Sequence, residues 1–243
     1  MIKIISCFWN ASRYIEGCIN SVKNQSLTDF KMYLIDDVST DDTIEKIKSL
    51  IDNDKRFELI ENKEKKFKLK NIDELIRDES KINDEDIIIE LDGDDRFSNT
   101  NVLSFINNKY NINSDLWLTN GSFIYRDGRV GFSAKVDYSK IRNQPFQFSH
   151  LRTWKAHLWK KINPEDFNHQ FGNSIISAPD LAYSFPMAEM AGNNHYEFIP
   201  EILYIYNDES PYNEFKNESA GGGKFQQFVC ESEIRFKKPY EPI

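Results

Sequence analysis

The residues best suited to chemistry lie in Ile87-Ile88-Ile89-Glu90-Leu91-Asp92-Gly93-Asp94-Asp95. A short β-branched run ends in three aspartates with one glycine among them. Carboxylates packed this closely repel one another, so the fold gains nothing from them unless a cation or a cationic group sits between them. Hard divalent metals prefer such all-oxygen sites, and Mg²⁺ or Mn²⁺ held there can grip a diphosphate. The plainer alternative is an acidic surface turn, because Asp and Gly are ordinary turn residues.

Such a cluster needs elements to position it. Ile2 to Phe8 reads as a buried strand, Arg13 to Asn24 as a helix with Tyr14, Cys18, Ile19 and Val22 on one face, and Lys31 to Ile35 as a strand ending at Asp36-Asp37. Ser39 to Asp42 can cap a helix whose inward face holds Ile44, Ile47, Leu50 and Ile51. Phe57 to Ile60 is a third strand, a helix follows around Ile72, Leu75 and Ile76, and Asp86 to Leu91 is the fourth strand. Alternating strands and helices predict a mostly parallel sheet covered on both faces. In such sheets ligands bind beyond the carboxyl ends of the strands. Asn10, Asp36-Asp37 and Asp92 to Asp95 should therefore meet along one edge, a convergence that a surface accident would not produce.

The second half is less regular. Helices are expected at Val102 to Tyr110, Asp180 to Met190 and Lys224 to Phe236, and strands within Leu116 to Thr119 and Tyr196 to Tyr206. Asp127-Gly128 suits a hairpin turn, and Gly221-Gly222-Gly223 a flexible break. The aromatic and basic stretch with His150, Arg152, Trp154 and His157 could be an acceptor or diphosphate site, or a mixed helix with core aromatics and a solvated basic face.

Composition narrows the class. With 243 residues, 40% hydrophobic and 29% charged, the chain can bury a sizeable core. A formal net charge of −8 argues against gripping nucleic acid by its phosphates. Three cysteines are too few and scattered for a disulfide framework or a zinc site, and Cys7 is most simply a buried small residue. No apolar stretch is long enough to span a bilayer, and Met1 leads directly into a strand-like run, so a soluble cytoplasmic protein is expected. The oligomeric state is not legible.

The ordered motifs resemble the family 2 glycosyltransferases with the GT-A fold. Ile4 to Asn10 is similar to that family's opening strand and asparagine, and Ser21-Val22-Lys23-Asn24-Gln25-Ser26 to its S-V-x-x-Q segment. Asp36-Asp37-Val38-Ser39-Thr40-Asp41-Asp42-Thr43 is similar to its aspartate-rich signature, and Asp92-Gly93-Asp94-Asp95 to its D-x-D-D metal motif. Pro179-Asp180-Leu181, with Glu189 downstream, resembles the acidic catalytic helix, although the family has Glu-Asp where Pro179-Asp180 stands here. His150 to Trp154 and Tyr204 to Asn207 are also similar to glycosyltransferases of large viruses and phages.

The resemblance implies one GT-A domain over 1–243: an α/β fold with a mostly parallel mixed sheet flanked by helices. Residues 1–97 would bind nucleotide, 98–220 the acceptor, and 221–243 would form a C-terminal helix and tail. It implies metal-dependent transfer of a sugar from a nucleoside-diphosphate donor, UDP-linked, to a hydroxyl of a glycan or similar acceptor with inversion, in the host cytoplasm if viral. Asp37 would accept a hydrogen bond from a uracil-like base, and Cys7, Phe8 and Asn10 would line its pocket. Lys70 and Asn71, where the family has Arg-Asn, would lie near the base or diphosphate. Asp94 and Asp95 are the metal-ligand candidates for Mn²⁺ or Mg²⁺, with Asp92 and Gly93 beside the ribose or the metal. Asp180 is the candidate base, unless it is only a helix cap, and Glu189 the reserve. His150, Arg152 and Trp154 are candidates for acceptor or diphosphate contacts.

Two alternatives come from other classes. A sugar-nucleotide pyrophosphorylase also uses carboxylates and Mg²⁺, but should carry a glycine-rich basic loop after its first strand, and Cys7 to Ser12 has neither glycine nor lysine. A non-catalytic carbohydrate-binding module would not need this many aspartates at one sheet edge.

Overall fold

The computed structural model describes residues 1–169, 172, 174–210 and 223–243. Eight strands form one sheet in the order β3-β2-β1-β4-β7-β6-β8-β5. β1 (Ile2–Phe8) lies between β2 (Phe30–Asp36) and β4 (Ile87–Glu90), parallel to both, and β3 (Phe57–Glu61) continues the parallel set. β7 (Thr153–Lys155) joins β4 to β6 (Leu118–Tyr125) in antiparallel pairs. β8 (Tyr196–Tyr206) then runs parallel to β6 and carries β5 (Arg96–Phe97) antiparallel at the edge.

The apolar runs that predicted strands are buried on both faces, as expected of a covered parallel sheet. Ile2, Ile4, Met32, Leu34, Ile87 and Ile89 pack against α1 (Ile15–Lys23), α2 (Thr43–Leu50) and α4 (Val102–Ile112). Ile5, Tyr33, Ile35 and Ile88 point the other way, into α3 (Phe67–Arg77), α5 (Ala156–Lys160), α6 (Pro179–Ala191) and α7 (Lys224–Phe236). On α2 only Thr43 and Ile47 are fully buried; Ile44, Leu50 and Ile51 are half-buried, because α2 covers the outer part of the sheet.

Two expectations are corrected here. The segment around His150 and Trp154 is not a mixed helix: Thr153–Lys155 pairs in the sheet and only Ala156–Lys160 is helical. The β-branched Thr153 and aromatic Trp154 fit a central strand between β4 and β6. The strand expected at Leu116 starts two residues later and runs on to Tyr125, where Asp127-Gly128 turns the chain back with Gly128 at φ 88°. Pro200, which cannot donate to the ladder, sits where the β6–β8 register slips between Gly121 and Ser122. Gly221 and Gly222 of the expected break lie outside the described residues.

Candidate functional site

Because β1 pairs with both β2 and β4, the three polar clusters are brought together. A cleft of about 340 Å³ at the strand ends is lined by Cys7, Phe8 and Asn10 after β1, Asp37 after β2, and Asp92, Gly93 and Asp94 after β4. Its far wall is Phe146, His150 and the start of α6, including Asp180. Gly93 is there for space: a Cβ on it would stand 2.7 Å from the Phe8 Cβ.

Asp37 is 5% exposed and well supplied with donors. Its Oδ1 accepts from the Lys66 backbone N–H at 2.8 Å, Asn62 Nδ2 at 2.9 Å and Asn71 Nδ2 at 3.1 Å. Its Oδ2 accepts from the Phe67 backbone N–H at 2.9 Å. Asp37 therefore supplies acceptors to the otherwise open N-terminus of α3, whose own cap residue makes no side-chain bond. Oδ2, with one such partner, retains a lone pair for a ligand. Asn71 lines the cleft beside it. Lys70 does not: it is half exposed and pairs with Glu74 at 4.0 Å, because its helical position turns it away. The cleft lysines are Lys65, 3.6 Å from the Trp9 ring centroid, and Lys68.

Lys68 joins the two sides of the site. Its Nζ lies 2.5 Å from Glu90 Oε1, 2.8 Å from Asp92 Oδ1 and 3.6 Å from Asp180 Oδ1. Burial opposes its charge, but Asp92, Glu90 and Asp180 outweigh burial and hold it protonated. Behind it, Arg152 is 1% exposed and donates to Glu90 Oε2 at 3.1 Å and Asp180 Oδ2 at 2.8 Å. Tyr183 donates to Glu90 and, at 3.3 Å, to Asp180. Burial alone would raise the Asp180 pKa; Arg152 and Lys68 outweigh it and hold the group well below the usual carboxylate range. Asp180 is not the cap of α6. That position is Ala178, in the left-handed region at φ 54° and without a side-chain cap bond.

The acidic trio divides. Asp94 stands on the cleft wall, its pKa pushed up to about 6 by burial and by Asp92. Asp95 is 2% exposed, with Oδ2 accepting from the Tyr204 hydroxyl at 2.6 Å and Oδ1 from the Asn207 backbone N–H at 2.6 Å. It thus ties the motif to the end of β8. Burial, Asp94 and Asp92 raise its pKa well above the ordinary value, and burial raises that of Asp92 despite Lys68. Asp92, Asp95 and His150 each present a ligand atom, and these atoms lie within 4.8 Å of one another. Burial, then Arg152, lowers the His150 pKa far enough to keep the ring neutral, with its Nδ1 at 3.4 Å from Arg152 Nη2. It stacks on Tyr204 with centroids 4.3 Å apart. Carboxylates with raised pKa values beside a neutral imidazole are short of positive charge, and the donor set fits a divalent cation.

Besides Lys70, and Asp95 and Arg152 behind the cleft wall, two more candidates fall outside the cleft. Trp154 is fully buried and packs on Trp159 and Tyr183, because its strand position faces α5 and α6. Glu189 is 4% exposed and engaged by Arg142, with Nη2–Oε2 at 2.9 Å, and by the Tyr240 backbone N–H at 2.9 Å. It sits about two and a half turns along α6 from Asp180, on the opposite face. Residues that the sequence did not single out are Trp9, Tyr14, Lys65, Lys68, Glu90, Tyr183 and Tyr204. Of these only Glu90 carried a signal, as a charge inside an apolar strand run.

Residues 3–172 match the family described as glycosyl transferase family 2. Two uncharacterized glycosyltransferases of Haemophilus influenzae are similar in part. One is 46% identical over 59 residues, 24% of this chain and 24% of that protein. The other is 35% identical over 63 residues, 26% of this chain and 20% of that protein. The matched stretch thus spans less than a quarter of those relatives. Among solved structures, S. aureus TarS in complex with UDP-GlcNAc superposes with a TM-score of 0.66 at 16% identity, over 86% of this chain and 59% of that one. The mannosyltransferase PcManGT of Pyrobaculum calidifontis, in complex with GDP-Man and Mn²⁺, gives 0.66 at 15% identity, over 98% and 65%. Glucosyl-3-phosphoglycerate synthase of Mycobacterium tuberculosis, in complex with Mn²⁺, UDP and glucosyl-3-phosphoglycerate, gives 0.61 at 13% identity, over 98% and 81%. The architecture is the GT-A fold, and this chain belongs to glycosyl transferase family 2.

Proposed function

We propose that the protein transfers a sugar from a nucleoside-diphosphate donor, UDP-linked, to a hydroxyl of a glycan or similar acceptor, with inversion at the anomeric carbon. The observation that carries this reading is Asp180 facing Asp92 and Asp94 across one cleft that also holds Asp37. The division of labour follows from position. The Asp37 Oδ2, Trp9 and Asn71 would receive the nucleoside, with Lys65 beside the Trp9 ring. Asp94 and Asp95, with Asp92 and His150, would hold the divalent cation. When bound, that ion neutralises charge on the departing diphosphate. One imidazole among carboxylates favours Mn²⁺ over Mg²⁺.

Asp180 would take the proton from the attacking hydroxyl. Arg152 and Tyr183 fix its orientation and keep it ionised, so an oxygen is ready to accept. That ionisation lowers basicity. The proton itself would become more acidic in the transition state, as positive charge builds on the attacking hydroxyl oxygen, so that a weak base can take it. The residue range 98–220 as the acceptor side is part of the same proposal.

Incubation with UDP-, GDP- and TDP-sugars and Mn²⁺, reading free nucleoside diphosphate, tests this reading. Release of nucleoside triphosphate on adding pyrophosphate would favour a pyrophosphorylase, and no release with any donor a non-catalytic module. The segments similar to virus- and phage-encoded enzymes direct the acceptor screen to surface glycans and capsid glycans, ahead of modified DNA bases, which the net acidity disfavours.

A further inference from the structure

The chain has nine arginines, all among the described residues. Six of them hold a carboxylate at 3.1 Å or closer: Arg56, Arg77, Arg129, Arg142, Arg152 and Arg235. The other three converge. Arg13, Arg96 and Arg126 line one small cleft of about 90 Å³, which shares Tyr14 and Asp94 with the main cleft. Among the described residues Arg13 and Arg96 form no ion pair, and Arg126 has only a loose one, 3.7 Å from Glu209, whose side chain is 63% exposed. Asp94 and Asp95 also line this cleft, but neither is ion-paired with the three arginines, so in a chain of net charge −8 these guanidiniums are left for another use.

Tyr14 supplies a second, independent sign. It is 8% exposed, and its buried hydroxyl has no hydrogen-bond partner among the described residues. Buried hydroxyls are ordinarily satisfied, so an open one on a cleft wall points to a ligand that completes it. The guanidinium carbons of Arg13 and Arg126 each stand 5.5 Å from the Tyr14 ring centroid. Gly17 opens the floor, since a Cβ there would meet nothing within 4 Å.

We propose that Arg13, Arg96 and Arg126 form a subsite for an anionic group, a phosphate or a carboxylate, carried by the acceptor. Arginine forks suit planar carboxylates and phosphates, and Tyr14 would donate to an anion oxygen. The cleft holds none of the Asp37-side residues, so it extends the site beyond Asp94, away from the nucleoside pocket. Assignment to the acceptor rests on the glycosyl-transfer reading and would add Arg13, Tyr14 and Arg96, from the 1–97 half, to an acceptor side otherwise drawn from 98–220; the anion site itself stands on the arginines and Tyr14.

Calorimetry on the full chain tests this, with glucose 6-phosphate and glucuronate as probes and glucose as the neutral control. Titrations are run without nucleotide and again with UDP and Mn²⁺ saturating, which fills the diphosphate position. Saturable binding of at least one anion, at least about tenfold tighter than glucose in both conditions, is expected. The preferred anion separates phosphate from carboxylate. The double variant R13Q/R126Q and the single Gly17→Glu, which adds a carboxylate into open space, should each weaken it at least about tenfold while leaving UDP affinity within about twofold. Anions no better than glucose, or variants that bind them like wild type, would overturn the subsite. Variants that lose UDP affinity instead would assign the arginines to the donor. Failure of UDP to bind wild type, with anion binding intact, would sink the glycosyl-transfer reading and the acceptor assignment and leave the anion site.

Discussion

The Lys68 ammonium stands 2.8 Å from Asp92 Oδ1 and reaches toward Asp180 Oδ1 at 3.6 Å, so one cation links the acidic Asp92–Asp95 motif to the candidate base. It offsets repulsion among carboxylates that burial would otherwise make costly. Lys68→Met should therefore lower stability by about 3 kcal/mol. Mn²⁺ should raise the Tm of this variant more than that of the wild type, because an added cation replaces part of what was lost. Equal Mn²⁺ shifts in a thermal melt would count against the link.

Asp180→Asn keeps the shape and hydrogen-bonding reach of the side chain but removes a base. Turnover is expected to fall roughly 100- to 10,000-fold, the usual range for a lost acid–base group, with UDP affinity retained. Calorimetry beside a diphosphate-release assay separates the two. A variant with near-normal turnover would move the base elsewhere.

Asp94 and Asp95 should respond differently. Asp94→Ala removes a carboxylate from the cleft wall and should abolish Mn²⁺-dependent donor turnover in a correctly folded protein. Asp95→Ala also leaves the Tyr204 hydroxyl and the Asn207 N–H without their acceptor, so it should lower Tm as well. Melts and Mn²⁺ titrations of both variants check this, and full activity in Asp94→Ala would contradict its assignment.

Gly93→Ala places a Cβ 2.7 Å from the Phe8 Cβ and forces the loop or β1 to shift. A stability cost of about 1–3 kcal/mol is expected, typical of overpacking. Donor KM should rise as well, since the aspartates on either side move with the loop. An unchanged KM would mean that the loop relaxes without disturbing its neighbours.

Glu189 gives the opposite pattern. Glu189→Ala leaves Arg142 buried without its carboxylate, which should cost about 3–5 kcal/mol and lower Tm on the order of 10 °C. Turnover per folded molecule should stay near wild type at a temperature below the melt. Lost turnover with normal stability would return Glu189 to the list of possible bases.

What the sequence determined by itself was the frame and three of its strand-end clusters. Uninterrupted β-branched runs such as Ile87 to Ile89 can only be satisfied inside a covered sheet. Parallel strands carry their carboxyl ends to one edge, so Asn10, Asp37 and Asp92 to Asp94 were legible as neighbours. The helix holding Asp180 was legible too, from its apolar run. Tertiary structure decided which charges meet. Lys68 and Lys70 sit two residues apart in the same lysine-rich stretch, and only the docking of α3 on the sheet turns one into the cleft and the other to solvent. Arg152 and Trp154 share one strand face, yet whether that face reached an acceptor or the core depended on the antiparallel insertion of β7 beside β4, which local spacing does not encode. The convergence of Arg13, Arg96 and Arg126 likewise joins three distant segments. Periodicity records which face of an element is buried; it does not record what lies opposite.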